Sequence, residues 1–265
     1  MDITPGYTVC GQGPATVLLH SSMSSKDQWK PLISLLAAKF KFISIDLSGY
    51  GDNGLPLNHQ TFSTEDEVRL AQRIMTKEMG NETPFHLIGH SYGGAIALKL
   101  AVKMLDRVKT LTLFEPVTFH LLPPEEAAHK EITKIREQFT HALIEKDKAV
   151  ATQLFIDYWS GKETFTNLVP KNQALYIRYI EKVLLDFQAL FNESLTLEDY
   201  SGIHIPVCMI KGETSPLSSL QVFRILERSL PYLSSYSVPG GHMAPITHFK
   251  TVNTIIEKFL ISQAY

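Results

Sequence analysis

Cysteines, long apolar runs and a targeting pattern are scarce or missing in this sequence. The 265-residue chain holds only Cys10 and Cys208, too few for a disulfide framework and typical of free thiols in a reducing compartment. Residues 1–5 show neither the positive charge nor the apolar stretch that opens a signal peptide. No run of about 18 apolar residues occurs, which argues against a membrane-spanning helix. We therefore predict a cytoplasmic protein without a membrane partner.

Basic clusters and cofactor motifs are also missing from the sequence. Lys and Arg number 25 against 27 Asp and Glu, for a formal net charge of -2, and nucleic-acid binding requires a positively charged face. The sequence contains no His-Glu-x-x-His, no Cys-x-x-Cys and no glycine signature for nucleotides. We therefore expect no nucleic acid, metal or cofactor, and a small-molecule substrate as the partner. The 44% of apolar residues suit an ordinary globular core.

Short apolar runs alternate with longer segments of helical periodicity along most of the chain, which is typical of parallel βαβ units. The pattern predicts strands over 15–20, 42–46, 84–89, 108–114, 207–211 and 234–238, and helices over 26–38, 64–79, 93–104, 217–230 and 247–260. Residues 118–200 show helical patterns only. We predict an α/β core domain over 1–117 and 201–265, with a helical lid inserted over 118–200.

The sharpest motif is a G-x-S-x-G element formed by Gly89, Ser91 and Gly93. It lies between an apolar strand and an apolar helix. A nucleophilic serine on a tight strand-to-helix turn needs small neighbours, because other side chains would collide with the adjacent strand and helix. We predict that Ser91 is a nucleophile; the alternative is a glycine-rich structural turn.

The order of elements, this turn, the helical insertion and the Gly240-Gly241-His242 motif together resemble the α/β-hydrolase superfamily along nearly the whole chain. The insertion is the part that the resemblance covers least. It implies a mostly parallel sheet flanked by helices, with an all-helical cap. It also implies a Ser–acid–His order of catalytic residues, which makes His242 the base.

The acid of the triad is where the chain departs from that pattern. The loop position that usually holds an aspartate holds Ser215. Glu115, at the end of the preceding strand, is our preferred acid, because some haloalkane dehalogenases resemble this arrangement. Glu213, in the usual loop but two residues early, is the alternative, and a third possibility is that no acid is present.

The same resemblance implies that two backbone amides form an oxyanion hole, those of Ser22 and Tyr92. The family pattern is His-Gly-x, and here Ser21 replaces the glycine of His20-Ser21-Ser22. This replacement is harmless if the φ angle of Ser21 is negative. The hydroxyls of Ser21 and Ser22 are possible additional donors.

Three functions follow from these residues. The preferred one is hydrolysis of an ester or related carbonyl compound of small to medium size through an acyl-enzyme. Carbon–carbon bond hydrolysis would use the same residues, and a non-catalytic ligand receptor would keep them. Dehalogenase and epoxide hydrolase activities are disfavoured, because both resemblances require an aspartate at the position that Ser91 occupies. Aromatic residues of the insertion are expected to pack its core more often than to line a pocket.

Overall fold

The computed structural model describes residues 6–263, so the prediction about a signal peptide at residues 1–5 lies outside the described residues. The strands are β1 Tyr7–Cys10, β2 Ala15–Leu19, β3 Lys41–Ile45, β4 Phe85–His90, β5 Val108–Phe114, β6 Val207–Gly212 and β7 Leu233–Val238. The helices are α1 Lys30–Leu36, α2 Thr64–Met79, α3 Tyr92–Lys103, α4 Ala127–Ile144, α5 Lys148–Ser160, α6 Pro170–Phe191, α7 Leu197–Ser201, α8 Leu217–Ser229, α9 Ala244–Thr247 and α10 Phe249–Ser262. Short 3-10 helices cover Lys26–Trp29 and Phe119–Leu121.

The strands form one sheet in the order β1-β3-β2-β4-β5-β6-β7. Only β1 runs antiparallel to its neighbour, and the other pairs are parallel. The predicted α/β class, a mostly parallel sheet with helices on its faces, is therefore confirmed. This order brings the carboxyl ends of β2, β4, β5 and β6 to one edge of the sheet, where the chain leaves each strand.

Strand β1 and several element ends differ from the sequence prediction. The four-residue β1 was not predicted, because it is short and its last three residues are exposed. The helix expected over 26–38 is a 3-10 turn followed by α1, whose start is set by a proline in its first turn. Ser63 caps α2 through a capping box with Asp66. The last predicted helix is interrupted at His248, where φ is -125° and ψ 33°, so it forms α9 and α10.

Between β5 and β6 the described chain is helical, and we call α4–α7 with the preceding 3-10 turn the helical insertion. Its large aromatic residues join the same hydrophobic cluster as the sheet residue Leu111. The buried members include Phe119, Phe139, Phe155, Trp159 and Phe187. The insertion therefore packs directly on the sheet and shares its core. No helix within residues 6–263 is long and apolar enough to cross a membrane.

We expect Leu111→Ala to lower the free energy of unfolding by about 2–5 kcal/mol, because the substitution leaves a cavity in the hydrophobic core that packs against β5. Leu111 has no exposed surface. The matched control is Leu57→Ala, since Leu57 is 99% exposed and should change stability by less than about 0.5 kcal/mol. Urea denaturation of both variants checks this, and equal losses would contradict the assignment of Leu111 to the core.

Candidate active site

Ser91 occupies the single residue between β4 and α3, in a strained backbone conformation with a φ of 56° and a ψ of -117°. The two glycines around it allow this turn. A Cβ on Gly89 would lie 2.4 Å from the Gly93 carbonyl oxygen, and a Cβ on Gly93 would lie 2.4 Å from the His20 carbonyl oxygen. The turn therefore packs directly on neighbouring backbone and projects Ser91 at the carboxyl edge of the sheet.

His242 follows β7 in a loop that turns at Gly240, whose φ is 92°. Its Nε2 atom lies 2.8 Å from Ser91 Oγ. Both side chains are buried, with 2% of His242 and 7% of Ser91 exposed. A hydroxyl at this distance donates to an unprotonated imidazole nitrogen, so His242 is placed to remove the Ser91 proton.

Glu115 comes directly after β5, also at a positive φ, of 40°. Its Oε2 atom accepts a hydrogen bond from His242 Nδ1 at 2.6 Å, and its Oε1 atom accepts one from the Gly212 backbone N–H at 2.7 Å. The side chain is fully buried. A buried carboxylate on Nδ1 fixes the imidazole tautomer and stabilises the imidazolium. The structure therefore brings together Ser91, His242 and Glu115.

The loop after β6 contributes no carboxylate to this group. Glu213 is exposed, and its backbone N–H pairs with Val238. Ser215, at the position that usually holds the acid, is 8% exposed, and its hydroxyl has no hydrogen-bond partner among residues 6–263. Of the two acids that the sequence left open, only Glu115 contacts His242.

Ser22 follows β2 and lines the same pocket as Ser91, and Tyr92, the residue after Ser91, is the first residue of α3. Among residues 6–263, no acceptor is found for either backbone N–H. The hydroxyls of Ser21 and Ser22 are not free donors, because they donate to Gln28 Oε1 at 3.0 Å and Asp186 Oδ2 at 2.6 Å. The suggestion that these hydroxyls add donors to the hole is therefore not supported by the geometry.

The loop after β2 keeps its shape without the usual glycine. Ser21 does not have a positive φ; Met23 does, at 58°. His20 braces the loop, since its Nδ1–H donates to the Ser21 carbonyl at 2.7 Å and its Nε2 accepts from the Leu47 N–H at 2.9 Å. Burial lowers the pKa of His20 to about 4, so the ring is neutral at pH 7.

Two residues that the sequence reasoning missed contact His242. His90 Nε2–H donates to the His242 carbonyl oxygen at 2.9 Å, and burial holds the pKa of His90 well below its usual value. The Trp159 ring packs against the imidazole, with 4.1 Å between ring centroids. Nothing in the sequence pairs Trp159 with His242, because the two are 83 positions apart.

A pocket that is partly open to solvent leads to Ser91 and His242. Helix α5 and the loops after β2 and β7 form most of its wall. The apolar lining residues are Met23, Phe155, Ile156, Trp159, Leu168, Met243 and Ile246. No Asp, Glu, Lys or Arg lines it. Across residues 6–263, no group of three His, Cys, Asp or Glu side chains is placed to hold a metal ion.

Comparisons with known proteins fit this geometry. The model of a family described as the alpha/beta hydrolase fold matches residues 14–249. A fluoroacetate dehalogenase from Burkholderia sp is 30% identical over 124 residues, which are 46% of this chain and 40% of that protein. The chain thus spans less than half the length of that relative. The pimeloyl-(acyl-carrier protein) methyl ester esterase of Vibrio atlanticus is 25% identical over 92% of this chain and 93% of its own.

Solved structures share the fold over nearly the whole chain. A thermophilic esterase from Thermogutta terrifontis superposes with a TM-score of 0.78 over 98% of this chain and 93% of its own, at 18% identity. A hydrolase from Pseudomonas aeruginosa gives a TM-score of 0.79 over 96% and 93%, at 17% identity. At these identities the likeness establishes the fold alone.

We expect Glu115→Gln to slow phosphonylation of Ser91 by a fluorophosphonate roughly 10³- to 10⁴-fold, because an amide on Nδ1 favours the imidazole tautomer that cannot accept the serine proton. The matched control is Glu213→Gln, an exposed carboxylate expected to react at close to the unmodified rate. A larger loss in Glu213→Gln would reverse the assignment of the acid.

A second acid position tests the same assignment. Ser215→Asp in the Glu115→Gln background places a carboxylate in the loop after β6, where the buried Ser215 hydroxyl now lacks a partner. We expect the double variant to regain part of the lost phosphonylation rate, measured under the same conditions. If the rate loss of Glu115→Gln instead came from misfolding, the added carboxylate would recover none of it.

Proposed function

We propose, from the premise that this chain belongs to the α/β-hydrolase family, that it hydrolyses a carboxylic ester or a related acyl compound through an acyl-enzyme. The observation that supports this most is the continuous chain of hydrogen bonds from Ser91 Oγ through His242 to Glu115. Ser91 and His242, at one end of this chain of hydrogen bonds, line a largely apolar pocket.

The reaction would proceed in two halves. Ser91 Oγ attacks the carbonyl carbon while His242 Nε2 takes its proton, and Glu115 stabilises the imidazolium. The carbonyl oxygen becomes negative and accepts hydrogen bonds from the Ser22 and Tyr92 amides. His242 then protonates the leaving alkoxide, and water, deprotonated by the same imidazole, releases the acyl group as a carboxylic acid.

The lining of the pocket favours an uncharged substrate. Because no Asp, Glu, Lys or Arg side chain faces the pocket, a charged group would be desolvated there without a partner. The apolar wall suits an acyl chain, and the serine and threonine hydroxyls of the lining suit one or two polar substituents. We therefore propose a neutral substrate of small to medium size.

The relatives support ester chemistry over halide displacement. One of the similarities that extend over most of both chains is to a protein named as a methyl ester esterase, whereas the similarity to the dehalogenase covers only part of either chain. Dehalogenases of this fold attack with an aspartate, and Ser91 occupies that position here. A cytoplasmic location, the absence of a cofactor and the absence of nucleic-acid and membrane partners stay predictions from the sequence.

We expect Ser91→Ala to abolish both fluorophosphonate labelling and turnover of p-nitrophenyl esters, because it removes the nucleophile. The unmodified protein should turn over esters of short acyl chains measurably. The control is Ser229→Ala, a serine near the end of α8 whose hydroxyl only donates to Ile225. Labelling without turnover of any ester would contradict esterase activity and favour a ligand receptor or a carbon–carbon bond hydrolase.

Trp159 should limit the size of the acyl group, because it lies against His242 and forms part of the pocket wall. We expect Trp159→Leu to raise the ratio of kcat/KM for long over short acyl esters by about tenfold, through a deeper pocket. Trp159→Phe keeps a ring there and should shift the ratio less. A ratio that stays constant in both variants would mean that the acyl group lies elsewhere.

A further inference from the structure

A second group of buried charged residues lies beside the active site and takes no part in the triad. We call Glu67 of α2 with Lys182 and Asp186 of α6 the α6 cluster. All three residues are fully buried. Lys182 Nζ contacts Asp186 Oδ1 and lies 3.1 Å from Glu67 Oε1. Because Lys182 and Asp186 both lie on α6, the cluster joins the helical insertion to the core domain through the buried Lys182–Glu67 ion pair.

The surroundings of Lys182 are built for its side chain. The ammonium group lies between three aromatic rings, 4.9 Å from the centroid of Tyr50, 4.6 Å from that of Phe62 and 4.8 Å from that of Tyr92. A Cβ on Gly49 would lie only 2.9 Å from Lys182 Cγ. A buried ammonium group is costly unless its partners are well placed, so this site is a specific arrangement.

The anionic ends of the cluster contact both residues whose amides face the proposed oxyanion. Asp186 Oδ2 accepts the Ser22 hydroxyl at 2.6 Å and the Tyr50 hydroxyl at 2.6 Å. Glu67 Oε1 accepts the Tyr92 hydroxyl at 3.3 Å. The Ser22 contact is the closer of the two and reaches from α6 to a loop 164 positions earlier in the chain.

No hydrogen bond to the backbone N–H or carbonyl of Ser22 is found among residues 6–263. On one side, Ser21 is held by two hydrogen bonds to Gln28, from its N–H at 3.1 Å and its hydroxyl at 3.0 Å. On the other side, Met23 turns the chain at a positive φ. The Ser22 hydroxyl, by contrast, donates to Asp186 Oδ2 at 2.6 Å and so ties this residue to α6.

We propose that Asp186 is a positioning residue of the oxyanion hole: by holding the Ser22 hydroxyl, it keeps the Ser22 N–H directed at the oxygen that becomes negative. This inference rests on the proposed acyl hydrolysis. It makes helix α6 of the insertion part of the catalytic framework, because the hole is complete only when α6 is packed on the core. Lys182 and Tyr50 in turn hold Asp186.

The test replaces the hydroxyl and leaves every charge in place. We expect Ser22→Ala to lower kcat about tenfold with KM changed less than about twofold, since removal of a whole oxyanion donor costs about 10²- to 10³-fold. Ser22→Thr keeps a hydroxyl and should recover most of kcat. The matched control is Ser48→Ala, because Ser48 donates to Glu67 Oε2 at 2.9 Å at the far end of the same cluster. It should keep kcat and KM.

A transition-state analogue separates positioning from a structural effect. A trifluoromethyl ketone matched to the best ester forms a tetrahedral oxyanion with Ser91, whereas the matching methyl ketone binds as a neutral carbonyl. We expect Ser22→Ala and Asp186→Asn to weaken the fluorinated ketone in proportion to their loss of kcat/KM, and to leave the methyl ketone unchanged. Thermal melting of each variant measures any loss of the folded state.

Two results would overturn the positioning role: equal kinetics in Ser22→Ala and Ser48→Ala, or a rise in KM with kcat unchanged. Fluorophosphonate labelling of Ser91 distinguishes this failure from failure of the proposed function. If the unmodified protein labels and turns over esters, the proposed function holds whatever Ser22→Ala does. If the unmodified protein does neither, the ester hydrolysis on which the inference rests is wrong.

Discussion

The backbone of Ser91 is the constraint on which the rest of the site depends. A serine at a φ of 56° costs on the order of 1–3 kcal/mol and persists only where the surroundings enforce it. Here the Ser91 N–H bonds to the Phe114 carbonyl at 2.9 Å, and the Gly93 N–H bonds to the His20 carbonyl at 3.1 Å. Strands β5 and β2 therefore hold the turn from both sides, and the buried α3 behind it completes the support.

The acid follows from the same strand order. Because β5 lies next to β4 and β6, the residue after β5 reaches both the His242 imidazole and the end of β6. Both carboxylate oxygens of Glu115 accept hydrogen bonds there, one from His242 Nδ1 and the other from the Gly212 amide. The Glu115 N–H donates to the Ile210 carbonyl. The side chain is fixed at both oxygens, which compensates for a backbone that is itself at a positive φ.

The sequence predicted the α/β fold, and it named Ser91, His242 and Glu115 as candidates that the structure places in contact. Short apolar runs that alternate with helical periods indicated the strands, and the G-x-S-x-G spacing indicated Ser91. His242 and Glu115 came from the resemblance to known hydrolases, which left Glu213 open as the acid. The sequence did not predict Trp159 against His242, nor Ser22 bonded to Asp186, because these contacts join residues on different elements without a shared pattern. Lys182 and Asp186 lie four positions apart on α6 and look like an ordinary exposed ion pair until the packing buries them.

The buried ion pair between Lys182 of α6 and Glu67 of α2 links the insertion to the core domain beside the proposed triad. An apolar interface tolerates sliding, since its contacts are interchangeable, whereas a buried ion pair has one low-energy geometry and is heavily destabilised when separated. Lys182 caged by three rings therefore fixes α6 on the core in one position. The position of α6 determines where the Asp186 carboxylate lies, and Asp186 in turn accepts the hydrogen bond of the Ser22 hydroxyl. The insertion thus contacts the site from two directions: through α5 it forms part of the pocket wall, and through α6 it holds Ser22, whose amide we propose to be an oxyanion donor.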